Sequence, residues 1–298
     1  MLRLQHLIIV IAIGYTSCKQ LKNPGENFSF NPDPALLYRT DVLRQTESHW
    51  EYKGKMQHLA DTSETMYSFQ LLHKTDSLFL IKLNFENFIS SSSNHFSVNT
   101  KLPCPSLAEA NANYLLYNYL LHFVKGRFVT VWLNTKGRPV GVNGIDRLVD
   151  SVAAISQIPA ATVKRYLENY ISEDVLKDEL NRLFCFIPGK PKNAVQSWVE
   201  NILLIAKAPV KWSTNFTLQS LKEDTAAIEC NSFISARQGG GGRTYMKGKL
   251  TGNIIAGYST GIPYKWNAAI ETTTSTDTYV ITTSQSITNT ITPVKTSI

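Results

Sequence analysis

The residues best placed by type and spacing to do chemistry are Gly257-Tyr258-Ser259-Thr260-Gly261, which fit the pattern G-x-S-x-G. In hydrolases built on that pattern the serine sits on a sharp strand-to-helix turn. An acid and then a histidine follow it in sequence. Here Ile262-Pro263-Tyr264 and a threonine-rich stretch follow instead, and the last histidine of the chain is His122. A serine hydrolase using Ser259 would have to draw its base from earlier in the chain, from His122 or His73. The pentapeptide reads more simply as a hairpin turn carrying two glycines.

A second candidate is the glycine run Gly239 to Gly242 with Arg243 and then Lys247-Gly248-Lys249. A phosphate-cradling loop needs G-x-x-x-x-G-K-[ST]. The residue five before Gly248 is Arg243, and Leu250 follows Lys249, so the pattern fails at both ends. What is left is a cationic segment without acidic residues. In it Arg237, Arg243, Lys247 and Lys249 could contact the phosphates of lipid headgroups.

The six histidines are His6, His49, His58, His73, His95 and His122, with no H-E-x-x-H and no pair four apart. His49 and His58 could face each other across a hairpin. Two imidazoles without a carboxylate or cysteine make a weak site, so no metal and no cofactor is expected. Glu173, Asp174, Asp178 and Glu179, interleaved with Lys177 and Arg182, read as the first turn and the solvated face of a helix. No two cysteines have C-x-x-C spacing. Cys185 and Cys230 sit in apolar runs and read as buried free thiols, with Cys104 the third cysteine past residue 18.

Cys18 has a different role. Residues 1–17 carry one charge, Arg3, and then the apolar stretch Leu7 to Gly14, which matches the core of a signal peptide and is too short to span a bilayer. Tyr15-Thr16-Ser17-Cys18 resembles a bacterial lipobox, with Tyr15 where leucine is usual. Lipidation of Cys18 is therefore expected. Several acyl chains on one residue would hold the protein stably at a membrane. The implied location is the cell envelope, at the outer membrane of a Gram-negative bacterium.

Composition bounds the rest. The 298 residues are 43% hydrophobic and 18% charged, close to the average for folded chains. The net charge of +7 is dispersed and carries no recognition motif, so nucleic acid is not an expected partner. Residues 18–45, with Pro24, Pro32 and Pro34, read as a tether from the lipid anchor. Residues 46–143 read as an N-terminal β region, with strands at Trp50–Met56, Thr65–Leu72, Ser77–Phe85, Arg127–Leu133 and Pro139–Val142, a loop at Ser90–Ser93 and an apolar stretch at Tyr114–Leu121.

The hydrophobic period then lengthens. Ile145, Leu148, Val149, Val152 and Ile155 fall at helical spacing, as do Val163, Tyr166, Leu167, Tyr170 and Ile171, with Pro159 between them. Ser172 is a suitable N-cap for a third helix holding Val175, Leu176, Leu180 and Leu183. From residue 186 to 298 strands return, at Ser197–Ile205, Asn215–Ser220, Ala226–Ile234, Tyr245–Ala256, Lys265–Thr274 and Thr278–Thr290. The expected fold is α+β and β-rich: antiparallel curved sheets with a central helical layer around residues 144–184, and 46–298 as one globular unit.

Asn134-Thr135-Lys136-Gly137-Arg138-Pro139-Val140-Gly141-Val142, a helical stretch, then Phe186-Ile187-Pro188-Gly189-Lys190-Pro191 and Trp198 resemble a group of Bacteroidota outer-membrane lipoproteins classed as a domain of unknown function. The resemblance covers most of the chain beyond the signal. Its motifs are turns, and it implies a β-rich lipoprotein with no catalytic residue to carry over. Lys192 stands where that pattern has valine. The expected role is non-enzymatic: binding an apolar or lipid-like ligand, or an envelope partner, in the concavity of a curved sheet. Such a pocket would be lined by some of Trp50, Trp132, Trp198, Trp212 and Trp266.

Overall fold

The computed structural model describes residues 29–52, 54–94, 116, 119–168, 170–188, 197–205, 209–238, 244–276 and 279–295. Eleven strands form one antiparallel sheet in the order β5-β4-β3-β2-β1-β11-β10-β9-β8-β7-β6. In chain order they are β1 (Leu36–Tyr52), β2 (Lys55–Lys74), β3 (Leu78–Asn94), β4 (Phe128–Asn134), β5 (Pro139–Asn143), β6 (Ser197–Leu204), β7 (Val210–Lys222), β8 (Thr225–Gln238), β9 (Thr244–Gly257), β10 (Pro263–Ser275) and β11 (Val280–Lys295). Among the described residues three helices lie between β5 and β6: α1 (Ile145–Ser156), α2 (Ala160–Leu167) and α3 (Glu173–Leu183).

This overturns the expected architecture of sheets arranged about a central helical layer. The two β regions are halves of one sheet, joined where β1 pairs with β11 from Leu36↔Lys295 to Trp50↔Ile281. The helices lie where the period changes, but they are short and serve as the crossover between the two edge strands. The physical reason is hydrogen bonding. Long adjacent hairpins satisfy their backbones pairwise, and joining β1 to β11 removes the two edges that separate sheets would have exposed.

Other boundaries shift for the same reason. Leu36 to Gln45, expected in the tether, are the first half of β1. β1 ends at Tyr52 and β2 begins at Lys55, so Trp50–Met56 is a hairpin end and not one strand. Ser90 to Ser93, expected as a loop, belong to β3 and pair with Ser63 to Ala60. Ladder bonds come from the backbone, so a serine run can be strand when its partner strand is long. Residues 119–124, at the end of the apolar stretch from Tyr114, are helical.

The sheet is curled, and period-2 alternation decides what it encloses. Along β7, Trp212, Thr214, Phe216 and Leu218 are buried while Lys211, Ser213 and Asn215 face out. Register sets neighbouring inward residues side by side: Trp198 against Phe216, Phe216 against Cys230, Trp266 against Ile254. One end of the enclosure is sealed by the segment preceding β1. The Phe30 amide donates to the Thr135 carbonyl and the Asn31 amide to the Thr260 carbonyl, bridging the β4–β5 and β9–β10 turns. Phe30 is fully buried there, edge-on to Phe79 at 5.3 Å and to Phe184 at 4.9 Å. Gly261 has φ +63°, and a Cβ on it would lie 2.5 Å from the Ser29 carbonyl oxygen, so this seal requires glycine.

The helix stripes face the enclosed core through Leu148, Val149, Val152, Val163, Leu167, Leu176, Leu180 and Leu183. Ile155, expected on the stripe of α1, is 55% exposed. Ser172 caps α3, its hydroxyl accepting from the Val175 amide at 3.3 Å. Asp178, expected on the solvated face of α3, is buried and accepts from the Ile205 amide just beyond β6 at 2.9 Å. No described helix is long and apolar enough to cross a membrane.

Candidate functional site

The curled sheet and α3 leave a cavity of about 560 Å³ between them. Its apolar wall comes from strand residues Leu83, Phe85, Phe88 and Met246 and from Val175, Leu176 and Leu180 on α3. No tryptophan is among the residues that line it. Trp198, Trp212 and Trp266 are buried in the core, so the expected tryptophan-lined pocket is corrected. The reason is register: those three indoles belong to strands on the β6 side, whereas most of the cavity's strand residues come from β1–β3.

A polar cluster stands against this apolar wall. Arg44, on the inward face of β1, donates to the Glu179 carboxylate on α3, which also accepts from Arg182 at 2.8 Å. The three side chains are 23–29% exposed. Tyr67 on β2 lies within their field: burial pushes its phenol well above the ordinary value, the Glu179 charge adds to the rise, and the two guanidinium groups oppose it. Tyr67 therefore remains a neutral phenol at any physiological pH, with a hydroxyl that can donate one hydrogen bond. Sequence reasoning missed this cluster. It took Glu179 and Arg182 for a solvated helix face, and Arg44 for part of a tether.

The Ser259 turn is a strand-to-strand connection between β9 and β10, not the entry to a helix. The Ser259 hydroxyl donates to Asp224 Oδ2 at 2.7 Å, and its amide to Asp224 Oδ1 at 2.8 Å. The Tyr258 amide donates to the Asp224 backbone carbonyl at 2.7 Å. Asp224 thus ties the β7–β8 turn to the β9–β10 turn at an exposed site. The hydroxyl is held by a carboxylate and by no described histidine, an arrangement that lacks the imidazole base of a serine nucleophile.

The cationic segment is not a cradle in the described residues. Lys249 forms an exposed ion pair with Glu271 across β9–β10 at 3.0 Å. Lys247 is exposed two residues earlier on the same strand, and Arg237 pairs in register with Tyr245. Arg243 lies outside the described residues, as do Cys18 and Cys104. Cys185 and Cys230 are buried free thiols, and burial pushes them up to about 12 and about 11. His49 and His58 do meet across the β1–β2 hairpin, and Glu47, two residues before His49, shares their face. Glu47 was missed because period-2 spacing points to it only once β1 is known to be a strand.

The family of unknown function DUF6263 matches residues 76–263, more than half of the chain. Those residues run from the β2–β3 turn to the start of β10 and include α1, α2 and α3. No curated protein matches the sequence. Among solved structures, a lipovitellin structure titled for its lipid-protein interactions is similar over 89% of this chain, at 11% identity and a TM-score of 0.47. The chain spans only 26% of that protein's length. The translocator domain of the autotransporter NalP from Neisseria meningitidis is similar over 87% of this chain and 89% of that chain, at 6% identity and a TM-score of 0.22. OccK7 from Pseudomonas aeruginosa is similar over 87% of this chain and 99% of that chain, at 6% identity and a TM-score of 0.21.

Proposed function

We propose, for a chain that belongs to this family of unknown function, that the cavity between the curled sheet and α3 holds an apolar or lipid-like ligand, and that Cys18 anchors the protein at the cell envelope. The observation that carries the reading is the enclosure itself. A space of about 560 Å³ lies within the ~300–1,000 Å³ of small-molecule sites and has their pattern of an apolar wall with a few convergent polar groups. An apolar chain would lie along Phe85, Phe88, Leu176 and Leu180. Its polar end would meet the Arg44, Glu179 and Tyr67 cluster.

Two experiments test the two halves of this reading. Protein purified from its membrane should release a lipid-like molecule detectable by mass spectrometry of the organic extract. Val175→Trp, which fills the cavity from α3, should abolish that release while leaving the β-sheet circular dichroism unchanged. An empty wild-type protein that also fails to take up a fluorescent fatty acid would refute the ligand reading. Separately, Cys18→Ala should move the protein from the membrane to the soluble fraction, and unchanged retention without an acyl mass on Cys18 would refute the anchor.

A further inference from the structure

On the outer face of the sheet, away from the cavity, β1 and β2 place His49 directly opposite His58 in register. The rings stack in parallel, 4.5 Å between centroids and 21° between planes. Strand periodicity puts Glu47 on the same face as His49, and its carboxylate lies 4.0 Å from His49 Nε2. One ligand atom from each of the three residues lies within 4.8 Å of the other two. Glu47 and His49 are exposed and His58 is half-buried, so solvent reaches the cluster from outside.

We propose that Glu47, His49 and His58 form a binding site for one divalent transition-metal ion of the zinc class. Two imidazoles and one carboxylate are the donor set that borderline cations prefer, and hard cations such as Mg²⁺ do not. Ligands bound at about 2.1 Å around a tetrahedral ion lie about 3.4 Å apart. Side-chain rotation closes the present spacing to that value, because cross-strand Cβ atoms are already only about 4.5–5.5 Å apart. Three protein ligands leave the fourth position to water, on the solvent side. The ion would pin β1 to β2 near the end of their ladder, which closes at Tyr52↔Lys55.

The test uses the full-length, untagged chain, stripped with EDTA and dialysed, and titrated with ZnCl₂ in a calorimeter. One equivalent should bind. His49→Ala and His58→Ala should each weaken binding by at least about tenfold, and Glu47→Gln by about threefold or more. His73→Ala, on β2 but outside the cluster, should match wild type, and MgCl₂ should give no heat. Zinc should also raise the melting temperature of wild type but not of either histidine variant, because an ion that binds only the folded state stabilises it. All four alanine and glutamine changes are at exposed or half-buried positions, and unchanged circular dichroism establishes that they fold. Absence of binding to wild type overturns the proposal. So does equal zinc affinity in wild type and His58→Ala.

Discussion

Arg138 immediately precedes edge strand β5 and Glu200 lies on edge strand β6, yet their side chains approach to 3.5 Å although the other nine strands separate them in the sheet. The same guanidinium donates to the Asn181 carbonyl of α3 at 3.1 Å and to the Cys185 carbonyl at 3.2 Å. Nearby, Trp198 Nε1 on β6 donates to the Phe186 carbonyl at 2.9 Å. The sheet is curled until its edges nearly meet, and α3 with the chain after it fills the remaining seam. An edge strand covered in this way cannot recruit a foreign strand. The same seam carries the helix that walls the cavity.

Removing the seam cation should therefore be costly. The Arg138 and Glu200 side chains are 15% and 17% exposed, so solvent screens the pair only partly. Arg138→Ala should destabilise by about 2–4 kcal/mol in urea melts, because a half-buried carboxylate and two carbonyls lose their donor. Arg138→Met with Glu200→Met should cost less than Arg138→Ala alone. If the double change costs more, the pair is not the seam's fastening.

The helical stripe makes a paired prediction. Leu180 is 2% exposed and packs from α3 into the core, so Leu180→Ala should cost ~2–5 kcal/mol. Ile155, at 55% exposure on α1, should cost under ~0.5 kcal/mol when changed to alanine. Equal losses in chemical denaturation would mean that α3 is not docked against the sheet.

Thiol ionisation gives a pH dependence with a definite sign. Burial raises Cys185 to about 12 and Cys230 to about 11, from an ordinary value of 9.0. The unfolded chain therefore loses these protons first. The contribution is complete below pH 9 and is lost as pH rises from 9 through 11 to 12. The urea midpoint should fall across that window, and more steeply than in a variant with both cysteines changed to alanine. Alkylation by iodoacetamide at pH 8 should be slow until the protein unfolds.

Ser259→Ala should cost less than about 1 kcal/mol, the net value of one exposed hydrogen bond to Asp224. A fluorophosphonate probe should leave wild-type Ser259 unlabelled. A stoichiometric adduct at that residue would restore a nucleophilic role.

Local chemistry made much of the chain legible. Alternation, runs of β-forming residues and turn signals marked parts of the strands, and Asn134-Thr135-Lys136-Gly137 marked a hairpin turn whose Asn134 side chain accepts from the Lys136 and Arg138 amides. Ser172 marked the start of α3 because a hydroxyl at that position serves a helix amide three residues on. Each of these signals lies within a few residues of what it determines. The pairing of β1 with β11 does not: Thr46 bonds Gln285 across 239 residues of chain, and nothing near either residue announces the other. β1 before Trp50 was hidden, because its outward face is mostly polar and its inward face carries Thr40, Arg44, Thr46 and Ser48 beside Tyr38 and Val42. Arg44, Thr46 and Ser48 find their partners in Glu179, Gln285 and Thr283, all far along the chain. The cavity, its Arg44–Glu179–Arg182 cluster and the joining of Glu47 to the histidine pair all depend on that strand. The sequence alone determined the turns, the caps and most of the strand periods, which are short-range backbone and solvation effects. Tertiary structure decided which strands are neighbours and what the curled sheet encloses, because those depend on hydrogen bonds and burial between residues far apart in the chain.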